Sequence, residues 1–147
     1  MIAARGAALT IVVLVSLPGC VAPAFNASQY ESKAAKTADA AVSAIESVRL
    51  ALESAQRHEL PSNPIDVAIA DQEDILGSVS GTFSSVQPPD RAMDRLRDRV
   101  LGLVDDAQSK IETARIAFRR GLVDTARAAI ESAEKDSKAL DEIASRY

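Results

Sequence analysis

Cys20 and His58 are the only thiol and the only imidazole in this 147-residue sequence, so any soft nucleophile or strong metal ligand must come from them. One imidazole is too few for a ferritin-like di-metal helical site, which takes a Glu-x-x-His pair from each of two helices. A His-dependent hydrolytic triad would rest on His58 alone, and the sequence holds no Gly-x-Ser-x-Gly turn to present its serine. Haem attachment by Cys-x-x-Cys-His and Gly-rich phosphate loops are also absent, and two methionines, one of them Met1, are too few for a Met-rich copper carrier. His58 precedes Glu59 at the end of a helical pattern, where a cation opposes the negative helix terminus, and it reads as a helix-end residue. Acids cluster at Asp71, Glu73 and Asp74 and again at Asp105-Asp106, without the 12-residue loop and bend glycine of a calcium site, so both read as solvated faces. From Asp90 to Arg99 the signs alternate, which predicts a field that largely cancels beyond a Debye length. The expectation is a protein without catalytic, cofactor-binding or metal-ligating residues, hence no enzyme. A net charge of -4 and a pI near 5.0 argue against a nucleic-acid partner.

Cys20 has a different context. Arg5 and the terminal amine form a short positive start, and Ala7 to Leu17 is an uncharged, largely apolar run. It stops at Pro18-Gly19, short of the roughly 20 apolar residues that a membrane-spanning helix needs. The run ends Leu17-Pro18-Gly19-Cys20, which resembles the lipobox of bacterial lipoproteins, with Leu at minus three, a small residue at minus one and then Cys. The resemblance covers only the signal, and Pro18 departs from the usual small residue at minus two. It implies that residues 1–19 are a cleaved signal peptide and that Cys20 becomes the mature N-terminus, carrying diacylglycerol on its thiol and often an acyl chain such as palmitate on its amine. Two or three chains make a stable anchor where one is marginal. The expected location is extracytoplasmic, on a bacterial membrane. Val21 stands where some two-membrane bacteria place an inner-membrane retention Asp.

The elements behind these residues are helical by pattern. Aromatic content of 3% with no Trp excludes an aromatic-rich β-sandwich. Residues 20–28 read as a tether, and Ser28 with Glu31 as a capping box opening a helix over 29–58. The apolar face of that helix is Tyr30, Ala34, Thr37, Ala41, Ile45, Val48, Leu52 and Ala55. Asn63 as cap with Pro64 at the first helical position predicts a second helix over 64–86, with Ile65, Ile69, Leu76, Val79, Phe83 and Val86 as its seam. A third, over 89–120, carries Met93, Leu96, Val100, Leu103, Ile111 and Phe118 and stops at Gly121, suited to a left-handed cap. A fourth, over 124–146 with Asp124 as cap, carries Ala126, Ile130, Ala133, Ser137, Leu140 and Ala144. Glu131–Lys135, Glu134–Lys138 and Glu142–Arg146 are expected on its outer face.

Short connections favour antiparallel neighbours, so residues 29–147 are expected to form an all-α, up-down-up-down four-helix bundle, monomeric, with a dimerising helical hairpin as the alternative. The function that fits is a lipid-anchored envelope protein presenting the bundle as an interaction or scaffold module to another envelope component. The alternative is a carrier for an apolar ligand or lipid in the bundle core. Covalent attachment to peptidoglycan through a terminal Lys is not expected, because the chain ends Ser145-Arg146-Tyr147.

Overall fold

Helix begins at an asparagine. Asn26, on extended backbone, accepts the Gln29 amide at 2.9 Å and so caps α1 (Ala27–Gln56). The expected capping box at Ser28 and Glu31 is replaced by this cap two residues earlier, and the last part of the expected tether is already helical. The computed structural model describes residues 26–147, and every regular element among them is a helix. After α1 come α2 (Ser62–Ser84), α3 (Arg91–Arg119), α4 (Val123–Glu131) and α5 (Glu134–Arg146). Residues 1–19, Cys20 and the tether to residue 25 lie outside the described residues. No described helix is long and apolar enough to cross a membrane.

α1 packs against each of the other helices, as α3 also does. Its sequence permits this because Ala34, Ala38, Ala41 and Ala44 lie among Tyr30, Ile45, Val48 and Leu52, giving a wide buried face with little side-chain bulk. On α3, Ala107 and Ala114 are buried in the same way between Val100, Val104 and Ile111. α2 packs against α1 and α3 and makes no substantial contact with α4 or α5. The Tyr30 and Phe83 rings lie 5.2 Å apart, which brings the start of α1 to the end of α2 and makes the two antiparallel. Bonds from Arg119 to Asp66 and from Arg115 to Glu73 run α2 and α3 antiparallel too. Of the eight residues expected to share a core, Phe83, Val100, Ile111, Phe118, Ile130 and Leu140 are buried in it, while Val79 and Leu103 pack half-buried against it.

The expected fourth helix is two. Ser132 NH bonds back to Ala128 O, but Ala133 NH closes a tighter turn on Ile130 O at 2.9 Å, and the ladder resumes with Ser137 NH on Ala133 O. The break changes the phase of the buried face, which continues through Ala133, Asp136, Leu140 and Ile143 instead of Ser137 and Ala144. An aspartate is thereby turned inward, and Lys110 of α3 bonds to its carboxylate. α5 has no side-chain cap, and Glu134 and Asp136 in its first turn complement the helix dipole instead.

The other helix starts divide. Asp90 caps α3 by accepting the Ala92 and Met93 amides at 2.8 and 3.0 Å. α2 starts at Ser62 behind Pro61 without a side-chain cap, so Asn63 is not its cap, and Asp124 lies in the first turn of α4 behind Leu122.

Candidate functional site

Cys20, the residue expected to carry lipid, lies outside the described residues. His58 lies at the end of α1 with φ of 54°, the only described non-glycine residue in the left-handed region. Its NH bonds to Ala55 O and the next NH, of Glu59, to Ser54 O, so the two bonds close the helix end. The same pair, Gly121 NH to Phe118 O and Leu122 NH to Ala117 O, ends α3, where Gly121 has φ of 75°. His58 therefore occupies the place that glycine fills on α3. Among the described residues no group of three His, Cys, Asp or Glu side chains could hold a metal ion.

The acid clusters separate on folding. Glu73 leaves Asp71 and Asp74 on the surface and receives a two-point bond from Arg115 at 2.6 and 3.2 Å. Asp66 receives the same from Arg119 at 2.8 and 3.0 Å, and this bond holds its carboxyl below the usual aspartate range. These inter-helix clamps carry no local sequence signal, because their partners are 42 and 53 positions apart. Glu134 pairs with Lys138 at 4.0 Å, as expected, and Glu53 pairs with Arg57 at 3.7 Å. Glu131 pairs with Arg127 at 3.0 Å instead of Lys135, and Glu142 and Arg146 form no ion pair with each other.

Two of the open grooves differ in how their charges are paired. Between α1 and the α4–α5 break lies a groove of about 450 Å³ walled by Ile45, Arg49, Glu131, Glu134 and Ser137. Its charges are largely paired internally: Arg49 bonds to Glu46 at 2.8 Å and to Glu53, and Glu131 to Arg127. A second groove, about 550 Å³, lies under the turn from α2 to α3, walled by Gln87, Asp90, Arg91, Asp94 and Arg97. Asp90 is committed to its cap, but Arg91, Asp94 and Arg97 have no ion-pair partner among the described residues.

The reason lies in how α3 converts the alternating signs. Residues four apart share a helix face, so Asp90, Asp94 and Asp98 form an acidic stripe and Arg91, Arg95 and Arg99 a basic one about 100° further round. The alternation along the chain thus becomes neighbouring stripes of opposite sign. Behind them the Tyr30 ring is wholly buried and its hydroxyl has no hydrogen-bond partner; the Arg97 Nε is likewise buried and unpartnered. Burial raises the Tyr30 pKa above its ordinary value, a shift that Arg97 partly opposes and that Asp94 and Asp98 reinforce. Arg97, Asp94 and Asp98 are thus the charges that the hydroxyl feels.

The groove presents the Arg91 and Arg97 guanidinium groups, the Asp94 carboxylate and the N-terminus of α3. Sequence reading singled out the stretch from Asp90 to Arg99 for its alternating signs, and the four-residue spacing of like charges is the signal that sorts them onto faces. No family model matches the chain, and no curated protein or solved structure is significantly similar to it.

Proposed function

We propose that this protein is a lipid-anchored cell-envelope protein, held to an extracytoplasmic membrane surface through Cys20, whose helical domain serves as an interaction or scaffold module. In this reading α4 and α5 act together as the fourth rod of an antiparallel four-helix bundle, with α1 and α3 across the short diagonal. The observation that carries it is the position of α1. α1 is capped at Asn26, six residues after Cys20, and packs against every other helix, as α3 also does, so an anchor there would hold the whole domain close to the lipid. The walls of these two grooves are mostly polar or charged, which favours surface recognition over carriage of an apolar ligand. Val67 and Ile75 on the outer side of α2, with Leu60 and Leu122 in the turns at the end away from Asn26, are exposed apolar side chains available to a protein partner.

The test is fractionation of cells producing the full chain, with mass spectrometry of the N-terminal peptide. Wild type is expected in the membrane fraction with an acylated Cys20 and without residues 1–19, and Cys20→Ser is expected to lose both acylation and membrane retention. An unmodified wild-type Cys20, or a mature protein that keeps residues 1–19, refutes the anchor. Photo-crosslinking from position 67 or 75 in native membranes is expected to give a discrete adduct that is absent from position 105, and equal labelling at all three refutes the interaction module.

A further inference from the structure

Asp136 is the one buried charged residue among those described, and it stands in the first turn after the break between α4 and α5. The residues at the break, Glu131-Ser132-Ala133-Glu134, include neither glycine nor proline, the usual local causes of an interrupted helix, so the cause lies in what α5 packs against. Two registers compete for residues 134–146. In the observed one the ladder closes early on Ile130 O, and Asp136, Leu140 and Ile143 face the core. In the other the α4 ladder runs straight on, and Ala126, Ile130, Ala133, Ser137, Leu140 and Ala144 form one continuous face. Ala133 and Leu140 belong to both faces, so passing between them turns α5 about its own axis by less than one residue's step of about 100°.

The straight register supplies acceptors to the first amides of α5, which now have neither an intrahelical acceptor nor a side-chain cap, and it returns the Asp136 carboxylate to water. The broken register buries Ile143 in place of the smaller Ala144, but it takes a carboxylate out of water, which is costly unless a cation meets it. Lys110 of α3 meets it. The two registers differ at the surface as well. Ser137, half-buried, walls the groove of about 450 Å³ between α1 and the break beside Ile45, Glu134 and Lys138. In the straight register it joins the core face, and the groove loses that wall.

We propose that the Lys110–Asp136 pair is a register lock and that the α4–α5 break is a two-position switch. With the pair in place, α5 is held in the broken register and the groove beside α1 keeps its wall. With Lys110 withdrawn, Asp136 turns out to water, α4 and α5 join into one helix, and Ile143 leaves the core. The lock requires neither acylation of Cys20 nor a partner, so it stands apart from the function proposed above.

The chain as produced in cells, purified in maltoside micelles, is followed by NMR through amide exchange and through contacts of the Ile143 methyl groups. Wild type is expected to exchange fast at Lys135 and Asp136 and to show Ile143 in contact with buried core side chains. Lys110→Met keeps the length of the side chain and removes its charge; exchange at Lys135 and Asp136 is expected to slow roughly tenfold or more, and the Ile143 contacts to be lost. Adding Asp136→Leu to Lys110→Met is expected to restore both wild-type readings, because leucine at 136 takes the buried position without a cation. The contact between the Tyr30 and Phe83 rings reports that α1 and α2 stay packed in each variant. A break that persists in Lys110→Met overturns the lock, as does a double variant that remains one straight helix. Undocking of the whole of 123–146, read as fast exchange at Ile130 as well as at Asp136, also overturns it, since it shows that no second register competes.

Discussion

Replacing Tyr30 by phenylalanine should make the protein more stable. The Tyr30 side chain is wholly buried, its ring packs on Phe83 at 5.2 Å, and its hydroxyl has no hydrogen-bond partner. Phenylalanine keeps the ring, the burial and the aromatic pair, and removes one oxygen that water solvates in the unfolded chain. A buried hydroxyl left unsatisfied costs roughly 1–3 kcal/mol. The void left by an oxygen, about 10 Å³, returns only about 0.2 kcal/mol at the usual cost per unit of cavity volume. The expected net gain is about 1–2 kcal/mol. It should appear in urea unfolding followed by circular dichroism as a higher midpoint at unchanged slope, and in melting as a rise of roughly 3–6 °C per kcal/mol.

A pH series adds an independent check. Burial raises the folded-state pKa of Tyr30, so the unfolded chain releases this proton first as pH rises. The stability that Tyr30 contributes as a neutral phenol is therefore complete below about pH 10 and lost above it, and Tyr30→Phe should remove that part of the alkaline decline. A Phe variant less stable than wild type by 1 kcal/mol or more, or an unchanged alkaline slope, would show that the hydroxyl has a partner and would refute the reasoning.

Two further outcomes follow from features of the helix ends and the break. Lys110→Ala should destabilise by roughly 2–3 kcal/mol, less than loss of a partner from a fully buried pair because the Lys110 side chain is 28% exposed, and more than Asp136→Ala, which leaves no uncompensated carboxylate inside; a double-mutant cycle with chemical unfolding measures both. His58→Gly should stabilise by about 0.5–1 kcal/mol in the same assay, because glycine takes the left-handed conformation without the side-chain clash that His58 bears, even after its larger unfolded-state entropy.

How much of this was legible in the sequence depends on the range of the interaction. The apolar face of α1 and the Gly121 stop follow from local periodicity and capping chemistry: of the expected face all but the half-buried Ala55 are buried, and Gly121 takes the left-handed conformation. Asn26 was missed because Ser28 and Glu31 offered an equally sound box two residues on, and only the position of Tyr30 in the core decides between the two registers. The break after Glu131 was missed because a four-three pattern continues unbroken through Ser137 and Ala144. What competes with it is a carboxylate on Asp136 meeting an ammonium 26 positions away. The clamps of Glu73 and Asp66 are of the same long-range kind. The groove was missed for another reason: alternation along the sequence suggests cancellation, whereas the helix turns the same residues into stripes.

The break between α4 and α5 also bears on the order in which the domain comes apart. Helices of 9 and 13 residues are too short to persist in water without tertiary support, and no common ladder joins them across Ala133. The first amides of α5 have neither an intrahelical acceptor nor a side-chain cap, so hydrogen exchange there should be fast even while α1 and α3 remain fully protected. Residues 123–146 are then a separate cooperative unit, docked on α1 and α3 through Ile130, Leu140, Ile143 and the Asp136–Lys110 pair, able to open while the first three helices stay folded. Such an opening would bare the alanine face of α1 along half its length, and the cell would meet it as the first point of entry for a protease.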